Sequence, residues 1–163
     1  MTSTLKVDTI QGKSTASNVI FPAGMVIQTV ESFILPYFAT ASTSLVTSGL
    51  ECAITPKFST SKVLINLNVN GVSRDVDADY IVFHIYKNSS NHHSVATNHG
   101  QTSAGRSATL SHQYLDSPST TSATTYTLYM RSGTGGGQVG YNNYGIGGNS
   151  STRSTIILQE ISG

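Results

Sequence analysis

Residues 62–72 read KVLINLNVNGV, and this stretch decides the fold. From Val63 to Val69 every second residue is aliphatic, and three of the residues that alternate with this set are asparagines. Successive side chains of a β-strand point to opposite faces, so this pattern predicts a half-buried strand with an amide-bearing outer face. The inner set is Val63, Ile65, Leu67 and Val69, and the outer set is Leu64, Asn66, Asn68 and Asn70.

The same two-residue period recurs along the chain, whereas a helical period is hard to find. Further strands are predicted at residues 25–33, 50–54, 80–87, 108–115, 124–131, 138–144 and 154–161. Turn-forming clusters separate them at residues 88–91, 116–119, 132–137 and 145–151. About eight strands without intervening helices predict an all-β fold, an antiparallel two-sheet sandwich of the jelly-roll kind.

The polarity of the chain is almost entirely uncharged. Of its 163 residues, 24 are Ser and 21 are Thr, whereas only 10% are charged and the net charge is +1. Soluble domains usually carry about 25% charged residues. A nearly neutral chain has no electrostatic field with which to hold a nucleic acid or an anionic membrane, so we expect neither as a partner.

Cysteine content and apolar runs exclude further classes. Cys52 is the one cysteine, which excludes an intramolecular disulfide and a cysteine-based zinc site. The apolar stretch 33–39 is interrupted by Pro36 and is too short to cross a bilayer, so no membrane insertion is expected. Residues 1–11 lack the apolar segment of a secretory signal, and we expect Met1 to be the initiator of the chain.

The first 24 residues differ from the rest. Leu5, Val7 and Thr9 alternate in a strand that is too short to bury its apolar side alone. It should pack on a neighbour, which is the body of the chain, another copy or a different protein. We therefore divide the chain into an N-terminal attachment arm, residues 1–24, and a β-sandwich head, residues 25–163. The attachment residues predicted in the arm are Leu5, Val7 and Ile10.

Several stretches resemble one family of proteins. They are TLKVDTIQ at 4–11 with PAGMV at 22–26, SKVLI at 61–65 with NG at 70–71, LDSPSTTSATTY at 115–126, and STIILQEI at 154–161. Together they resemble the N-terminal segment and head domain of fibre or knob proteins from the virions of marine, cyanobacterial-type tailed bacteriophages. The resemblance spans nearly the whole chain, although this chain has no long shaft.

The resemblance implies a virion surface protein on the tail or head. Such proteins are usually homotrimers, and this one would bind another virion protein through residues 1–24. The expected function is that of a short tail fibre or receptor-binding knob that contacts the host surface. The alternative is a trimeric capsid decoration protein or head fibre. No catalytic residue and no cofactor come with the resemblance.

A tyrosine–asparagine stretch is the predicted receptor contact. Tyr141, Asn142, Asn143 and Tyr144 lie between glycine-rich connections, and loops held by a rigid scaffold often carry binding residues. Tyrosine offers a flat apolar ring and asparagine binds hydroxyl groups, so a host polysaccharide or protein is the expected ligand. The competing interpretation is that these tyrosines pack between strands or subunits.

Two other clusters are weighed as metal sites. Asp75, Asp77 and Asp79 alternate, but Tyr80 and Tyr86 stand where a calcium loop needs Gly and Glu, so a solvated loop beside Arg74 is expected. A second loop, residues 88–105, holds His92, His93 and His99 and should be polar and exposed. Adjacent histidines on an extended backbone point to opposite faces, so His92 and His93 should not chelate together.

Enzymatic readings are poorly supported by the sequence. The glycine run 133–137 lacks the Lys-Ser or Lys-Thr of a phosphate loop, and no nucleophile elbow or His-Glu-x-x-His motif is present. A glycoside hydrolase needs paired carboxylates, and only eight acidic residues exist, three of them in one loop. We therefore expect no enzyme activity.

Residues 80–87 are bulky on both faces. Ile81, Phe83 and Ile85 form one face, and the other carries Tyr80, Val82, His84 and Tyr86. A face of that size would promote association if a monomer exposed it. The sequence therefore predicts that this face packs against another copy in a homotrimer.

Overall fold

The computed structural model describes residues 21–99, 107–142 and 152–163, with the side chains of residues 96–99 left aside. Within these ranges the chain forms ten β-strands and no helix. The strands are β1 (Val26–Ile34), β2 (Phe38–Thr40), β3 (Val46–Ile54), β4 (Lys62–Arg74), β5 (Ile81–Lys87), β6 (Ser90–His99), β7 (Ala108–Asp116), β8 (Thr124–Ser132), β9 (Val139–Tyr141) and β10 (Ser154–Ile161). The predicted attachment residues Leu5, Val7 and Ile10 lie outside the described residues.

Two antiparallel sheets form a sandwich, as the sequence predicts. One sheet has the order β1-β10-β4-β9-β2, with β7 also paired to β4, and the other has the order β3-β8-β5-β6. Strand β4 is 13 residues long and belongs to three pairings. Its first part lies between β10 and β7, and its last two residues pair with β9.

The core lies between the two sheets, and β4 supplies its longest row of side chains. Val63, Ile65, Leu67 and Val69 are all buried, which confirms the predicted inner face. They belong to one cluster with the largest apolar residues of the opposite sheet, which are Leu50, Phe83, Ile85, Tyr126, Leu128 and Met130. Full burial of such a side chain contributes roughly 1.5–3 kcal/mol.

Strand β6 corrects the prediction of a loop over residues 88–105. The loop was inferred from polar composition, but Ser90–His99 form an edge strand paired with β5. Asn88 and Ser89 both have positive φ, 48° and 68°, which is the backbone of the tight turn that matches hairpin twist. The strand was not predicted because an edge strand with both faces polar shows no apolar alternation.

The boundaries of other strands also differ from the predicted ones. Strand β3 begins at Val46 rather than at residue 50, and β9 spans only Val139–Tyr141. Strand β2 was not predicted, because its residues Phe38, Ala39 and Thr40 do not alternate between apolar and polar. The turn at residues 132–137 is confirmed between β8 and β9.

One buried carboxylate fixes the start of β1 and the loop before β4. Glu160 of β10 accepts hydrogen bonds from the backbone N–H of Lys57 at 2.7 Å and from the Gln28 side chain at 2.6 Å. The Gln28 amide also donates to the Thr55 carbonyl at 2.8 Å. A charge buried in this way is tolerated because its oxygens are hydrogen-bonded.

Candidate functional site

The sandwich has two distinct ends, which β10 joins. At its carboxyl end Ile161 pairs with Val26, and the backbone N–H of Gly24 donates to the Ser162 carbonyl at 2.8 Å. We call this the arm end, because the residues predicted as an arm enter there. At the amino end of β10, Ser154 pairs with Ile34, and we call this the loop end. Seven steps of about 3.3 Å separate the two, which is roughly 23 Å.

A cleft of about 490 Å³ opens at the loop end. Its lining is Asn70, Gly71, Ser107, Ala108, Thr109, Thr152 and Arg153. The Thr109 hydroxyl donates to the Asn70 side-chain oxygen at 2.9 Å, and the Asn70 amide donates to the Arg153 carbonyl at 2.6 Å. The cleft is therefore built from three segments that meet at one end, and most of its polar groups are neutral.

Among the described residues of that lining, Arg153 is the one cation. Its guanidinium donates to the carboxylate of Glu31 and lies 4.0 Å from the centre of the Phe33 ring. The ion pair is exposed, and such pairs contribute little to stability. The pair and the ring instead fix the direction of the arginine at the rim of the cleft.

Two of the four predicted receptor contacts are buried. Tyr141 has no exposed surface, and its hydroxyl donates to the Ser48 carbonyl at 2.7 Å. Asn142 is 3% exposed, and its amide donates to the Ile34 carbonyl at 2.9 Å. The Ser154 hydroxyl donates to the Asn142 oxygen at 2.6 Å. These two side chains hold strands together. For Tyr141 and Asn142 the prediction of a receptor contact is therefore corrected: both pack between strands, as the competing interpretation had it.

The period of β9 could have given this result from the sequence. Val139 and Tyr141 alternate with a glycine, and both are fully buried on the same face. Burial raises the pKa of the Tyr141 hydroxyl, although its bond to Ser48 acts in the opposite direction. The other two predicted contacts, Asn143 and Tyr144, lie outside the described residues, and only nine residues separate Asn142 from Thr152 at the cleft.

Asp79 is a buried clamp between two loops. It accepts hydrogen bonds from the Ser132 hydroxyl at 2.6 Å and from the backbone N–H groups of Tyr80, Gly133 and Thr134 at 2.7, 3.1 and 3.0 Å. Burial alone would raise its pKa, but the bonds from Ser132, Thr134 and Tyr80 outweigh burial and lower the pKa to about 2.

The predicted solvated aspartate loop is therefore corrected for its third member. Asp75 and Asp77 are exposed, whereas Asp79 is 2% exposed and turns its oxygens towards protein donors. The Arg74 guanidinium, expected as a counter-charge, donates instead to the backbone carbonyl of Asp79. In the described part of the chain, no three His, Cys, Asp or Glu side chains come close enough to hold a metal ion.

A row of ionisable side chains lies where the edge of one sheet meets the edge of the other. We call it the polar seam. It consists of Lys87, His92, His93, His112, Tyr114 and Asp116, supplied by β5, β6 and β7. The sequence analysis did not find the seam, because its members come from three strands and only their pairing brings them together.

A β-bulge corrects the prediction that His92 and His93 point to opposite faces. Ile85 pairs with His93 and Tyr86 pairs with Asn91, so His92 is an extra residue in β6. Both imidazole rings consequently reach Tyr114, with centroid distances of 5.9 Å from His92 and 4.4 Å from His93. The His93 ring is stacked on Tyr114, which fixes its orientation.

Asp116 is the centre of one half of the seam. It accepts hydrogen bonds from the Tyr126 hydroxyl at 2.6 Å and from Lys87 at 2.9 Å, and His92 Nε2 lies 3.2 Å from its other oxygen. Burial raises the pKa of Asp116, but these donors outweigh burial and lower it. The hydrogen bond from Lys87 on β5 to Asp116 on β7 ties the two sheets together.

Two histidines face each other in the other half. The Nε2 atoms of His93 and His112 are 3.0 Å apart, and the ring centroids are 5.1 Å apart. Burial lowers the pKa of His112, and the neighbouring His93 lowers it further. The hydroxyl of Tyr114 is buried and has no hydrogen-bond partner among the described residues.

The outer face of β5 is less exposed than the sequence predicts. Val82 is 2% exposed, and Tyr80, His84 and Tyr86 are half-buried. The Tyr86 ring stacks on Tyr129 of β8 at a centroid distance of 3.8 Å. Neighbouring strands thus already cover part of the face that was predicted to need another copy.

Other exposed apolar side chains stand apart from that face. They are Met25, Val26, Phe33, Leu35, Tyr37 and Leu115, each 45–52% exposed. Of these, Val26, Phe33 and Leu115 lie on the sheet that contains β4. The described residues contain no helix long and apolar enough to cross a membrane.

Comparison with known proteins finds likeness in structure alone. No family model matches the sequence. No curated protein matches it either. A structure of infectious bursal disease virus, Gt strain, has a TM-score of 0.51 and 12% identity over 98% of this chain and 43% of its own. A structure of the Gx strain has a TM-score of 0.51 and 18% identity over 85% of this chain and 33% of its own.

A third similar structure is the VP2 subviral particle of the same virus. It has a TM-score of 0.50 and 14% identity over 89% of this chain and 35% of its own. This chain therefore spans less than half the length of the proteins that it matches. At such identities the likeness concerns the fold, and it agrees with the all-β sandwich described above.

Replacing Asp79 by asparagine should destabilise the protein and make its stability less sensitive to low pH. The folded-state pKa of about 2 lies below the ordinary 3.8, so the carboxylate stabilises the fold above pH 4 and loses that effect as the pH falls towards 2. The difference corresponds to about 2 kcal/mol. Urea unfolding of Asp79→Asn at pH 7 and at pH 3 measures it.

The matched control is Asp75→Asn, an exposed carboxylate in the same loop. It should change the free energy of unfolding by less than about 0.5 kcal/mol. Both variants should still lose some stability at low pH, because the pKa of Asp116 is also lowered. If Asp79→Asn and Asp75→Asn lose the same stability, the clamp is not a stabilising interaction.

Replacing Tyr141 by phenylalanine tests whether this tyrosine is structural. The change removes the hydroxyl that donates to Ser48 and leaves a buried carbonyl without that donor. We expect a loss of about 1–3 kcal/mol in the free energy of unfolding. Ligand binding by the folded protein should be unchanged. Weaker binding at unchanged stability would return Tyr141 to the recognition surface.

Proposed function

We propose that the chain is a structural protein of a virus particle and acts at the particle surface, as a short tail fibre or receptor-binding knob of a tailed bacteriophage. One observation supports this proposal most strongly. Gly24, the last residue of the predicted arm, and the cleft lie at opposite ends of β10, a strand roughly 23 Å long. A knob needs this separation, because one end must hold the particle while the other reaches the host.

The fold is consistent with this function. The solved structures that resemble the chain come from virus particles, and their likeness covers 85–98% of it. Fold alone does not determine function, so this support is an analogy. The resemblance of several sequence stretches to bacteriophage fibre heads, including residues 154–161 that form β10, points in the same direction.

The chemistry of the described carboxylates favours a binding role over hydrolysis. Asp79, Asp116 and Glu160 each accept two or more hydrogen bonds from protein donors. Glu31 is paired with Arg153 at the rim of the cleft. A glycoside hydrolase would need two carboxyl groups directed at a substrate across an open cleft.

The loop end is the proposed recognition surface. The cleft presents hydroxyl, amide and backbone groups, which suit the hydroxyls of a host polysaccharide or the polar groups of a protein. Asn143 directly follows Asn142, whose backbone N–H donates to the carbonyl of the cleft residue Asn70 at 2.8 Å. We therefore retain Asn143 and Tyr144 as the receptor contacts. Three copies would combine weak contacts into useful avidity.

The homotrimer is part of the same proposal. Phe33 and Leu115 are about half exposed on the sheet that contains β4. Together with the partly exposed Tyr86 and Tyr129 they offer apolar surface on both sheets. With a net charge of only +1, copies packed about a threefold axis would repel one another little.

A capsid decoration protein or head fibre is the second candidate. The particle-derived structures that resemble the chain favour it, because one of them is described as a subviral particle. Copy number separates the two candidates. Labelled particles viewed by electron microscopy should show a few copies at the tail for a fibre and hundreds on the head for a decoration protein.

Deleting residues 1–20 tests the attachment arm. The deletion leaves the hydrogen bond from the Gly24 backbone N–H to the Ser162 carbonyl intact, so the head should remain folded. We expect a soluble oligomer, near three times the mass of one truncated chain by sedimentation, that no longer enters particles. The matched variant keeps the full length and replaces Leu5, Val7 and Ile10 with serine. Incorporation of the deleted protein into particles would contradict the arm, and a stable monomer would contradict the trimer.

Replacing Tyr144 with alanine tests the recognition surface. Loss of one aromatic contact should cost on the order of 1 kcal/mol per copy, so particles carrying the variant should adsorb at least about fivefold more weakly. Lys57→Ala, an exposed change near the arm end, is the control and should adsorb normally. Normal adsorption of Tyr144→Ala and of the cleft variant Thr109→Ala, with both proteins folded, would place recognition elsewhere.

A further inference from the structure

We propose that His93 and His112 form a binding site for one divalent transition-metal ion, with Zn²⁺ as the reference ion, which joins the edges of the two sheets. The site lies in the polar seam, where β6 of one sheet approaches β7 of the other. It is separate from the cleft and does not depend on the proposed function.

The geometry of the two rings carries the proposal. Their Nε2 atoms are 3.0 Å apart while the ring centroids are 5.1 Å apart, so the two nitrogens point towards each other. Without a metal, one neutral ring donates its Nε2 proton to the lone pair of the other. For a metal ion to bind between them, the donating ring would lose its Nε2 proton to water and take one up at Nδ1, so that each neutral ring offers an Nε2 lone pair.

The distance needs little adjustment. Zn²⁺ binds histidine nitrogen at about 2.0–2.1 Å, and tetrahedral bonds of that length place two nitrogens roughly 3.3 Å apart. The rings would have to separate by a few tenths of an ångström. Each ring would also have to tilt by roughly 35°, because a tetrahedral ion lies beside the line between the two nitrogens. His93 and His112 are only partly buried, so their side chains can make such rotations. Water would complete the coordination, since two protein ligands leave positions open.

The surroundings of the pair suit a transition metal. The stacking of His93 on Tyr114, at 4.4 Å and 13°, keeps the His93 ring beside His112. Metal binding uses the lone pair of a neutral imidazole. Imidazole is a preferred ligand of Zn²⁺, Ni²⁺ and Cu²⁺ and a poor one for Mg²⁺ and Ca²⁺.

His92 and Asp116 do not belong to the site. They contact each other at 3.2 Å in the other half of the seam, and Asp116 already binds Lys87 and Tyr126. His84 lies on the opposite face of β5 and contacts Asn91 at 3.0 Å. His84 and His92 therefore serve as matched controls.

Calorimetric titration of the full-length protein with ZnCl₂ tests the site. We expect one ion per chain, a rise in the thermal unfolding temperature that EDTA reverses, and no such rise with MgCl₂. His112→Gln and His93→Gln should each weaken binding by more than about tenfold, the lower range of losses when even a supporting partner of a ligand is removed. His84→Gln and His92→Gln should bind as the unaltered chain does.

A second measurement keeps the test valid if either variant folds poorly. In the unaltered protein, the imidazole ¹⁵N resonances of His93 and His112 should shift together on addition of Zn²⁺, and those of His84 and His92 should not. Binding that persists in both His93→Gln and His112→Gln would overturn the proposal. So would Zn²⁺-dependent shifts confined to other histidines, or no saturable binding by the folded chain.

Discussion

Burial of one face of β4 is the constraint on which the rest of the fold depends. This strand pairs with β10, β7 and β9, so three other strands take their register from it. Its inward residues are fully packed against the second sheet, and a slip of one residue would turn them to the outside. The alternation of residues 62–72 therefore specifies both the local strand and the pairing of half the sandwich.

The sequence was informative wherever burial imposed a period of two. The inner residues of β4, β5, β8 and β10 follow from alternation alone, and so does the sandwich. Strand β6 did not follow, because an edge strand with both faces polar has no apolar period to detect. The polar seam could not be predicted either, since it depends on a β-bulge at His92 and on the approach of two sheet edges. Bulges leave no clear sequence signature.

Some of the polar residues chosen as candidate contacts proved to be structural. Tyr141, Asn142 and Asp79 are buried and satisfy backbone or side-chain partners, so their polarity serves the fold. In a chain with so few charges, buried hydrogen bonds of this kind join elements that salt bridges would join elsewhere. Polar type alone cannot separate such residues from a binding surface. Period helps, because Tyr141 shares the inward face of Val139.

The placement of the two ends along β10 has a mechanical consequence. In the proposed function, the arm end of the protein is attached to a particle and the loop end is bound to a host. A pulling force between the two would act parallel to β10 and its neighbours β1 and β4. Hydrogen bonds of antiparallel strands lie across the strand direction, so such a load would shear many of them at once. Opening the pairs one after another, which needs less force, would require a pull at right angles. The architecture therefore suits a protein that must resist a pulling force along β10.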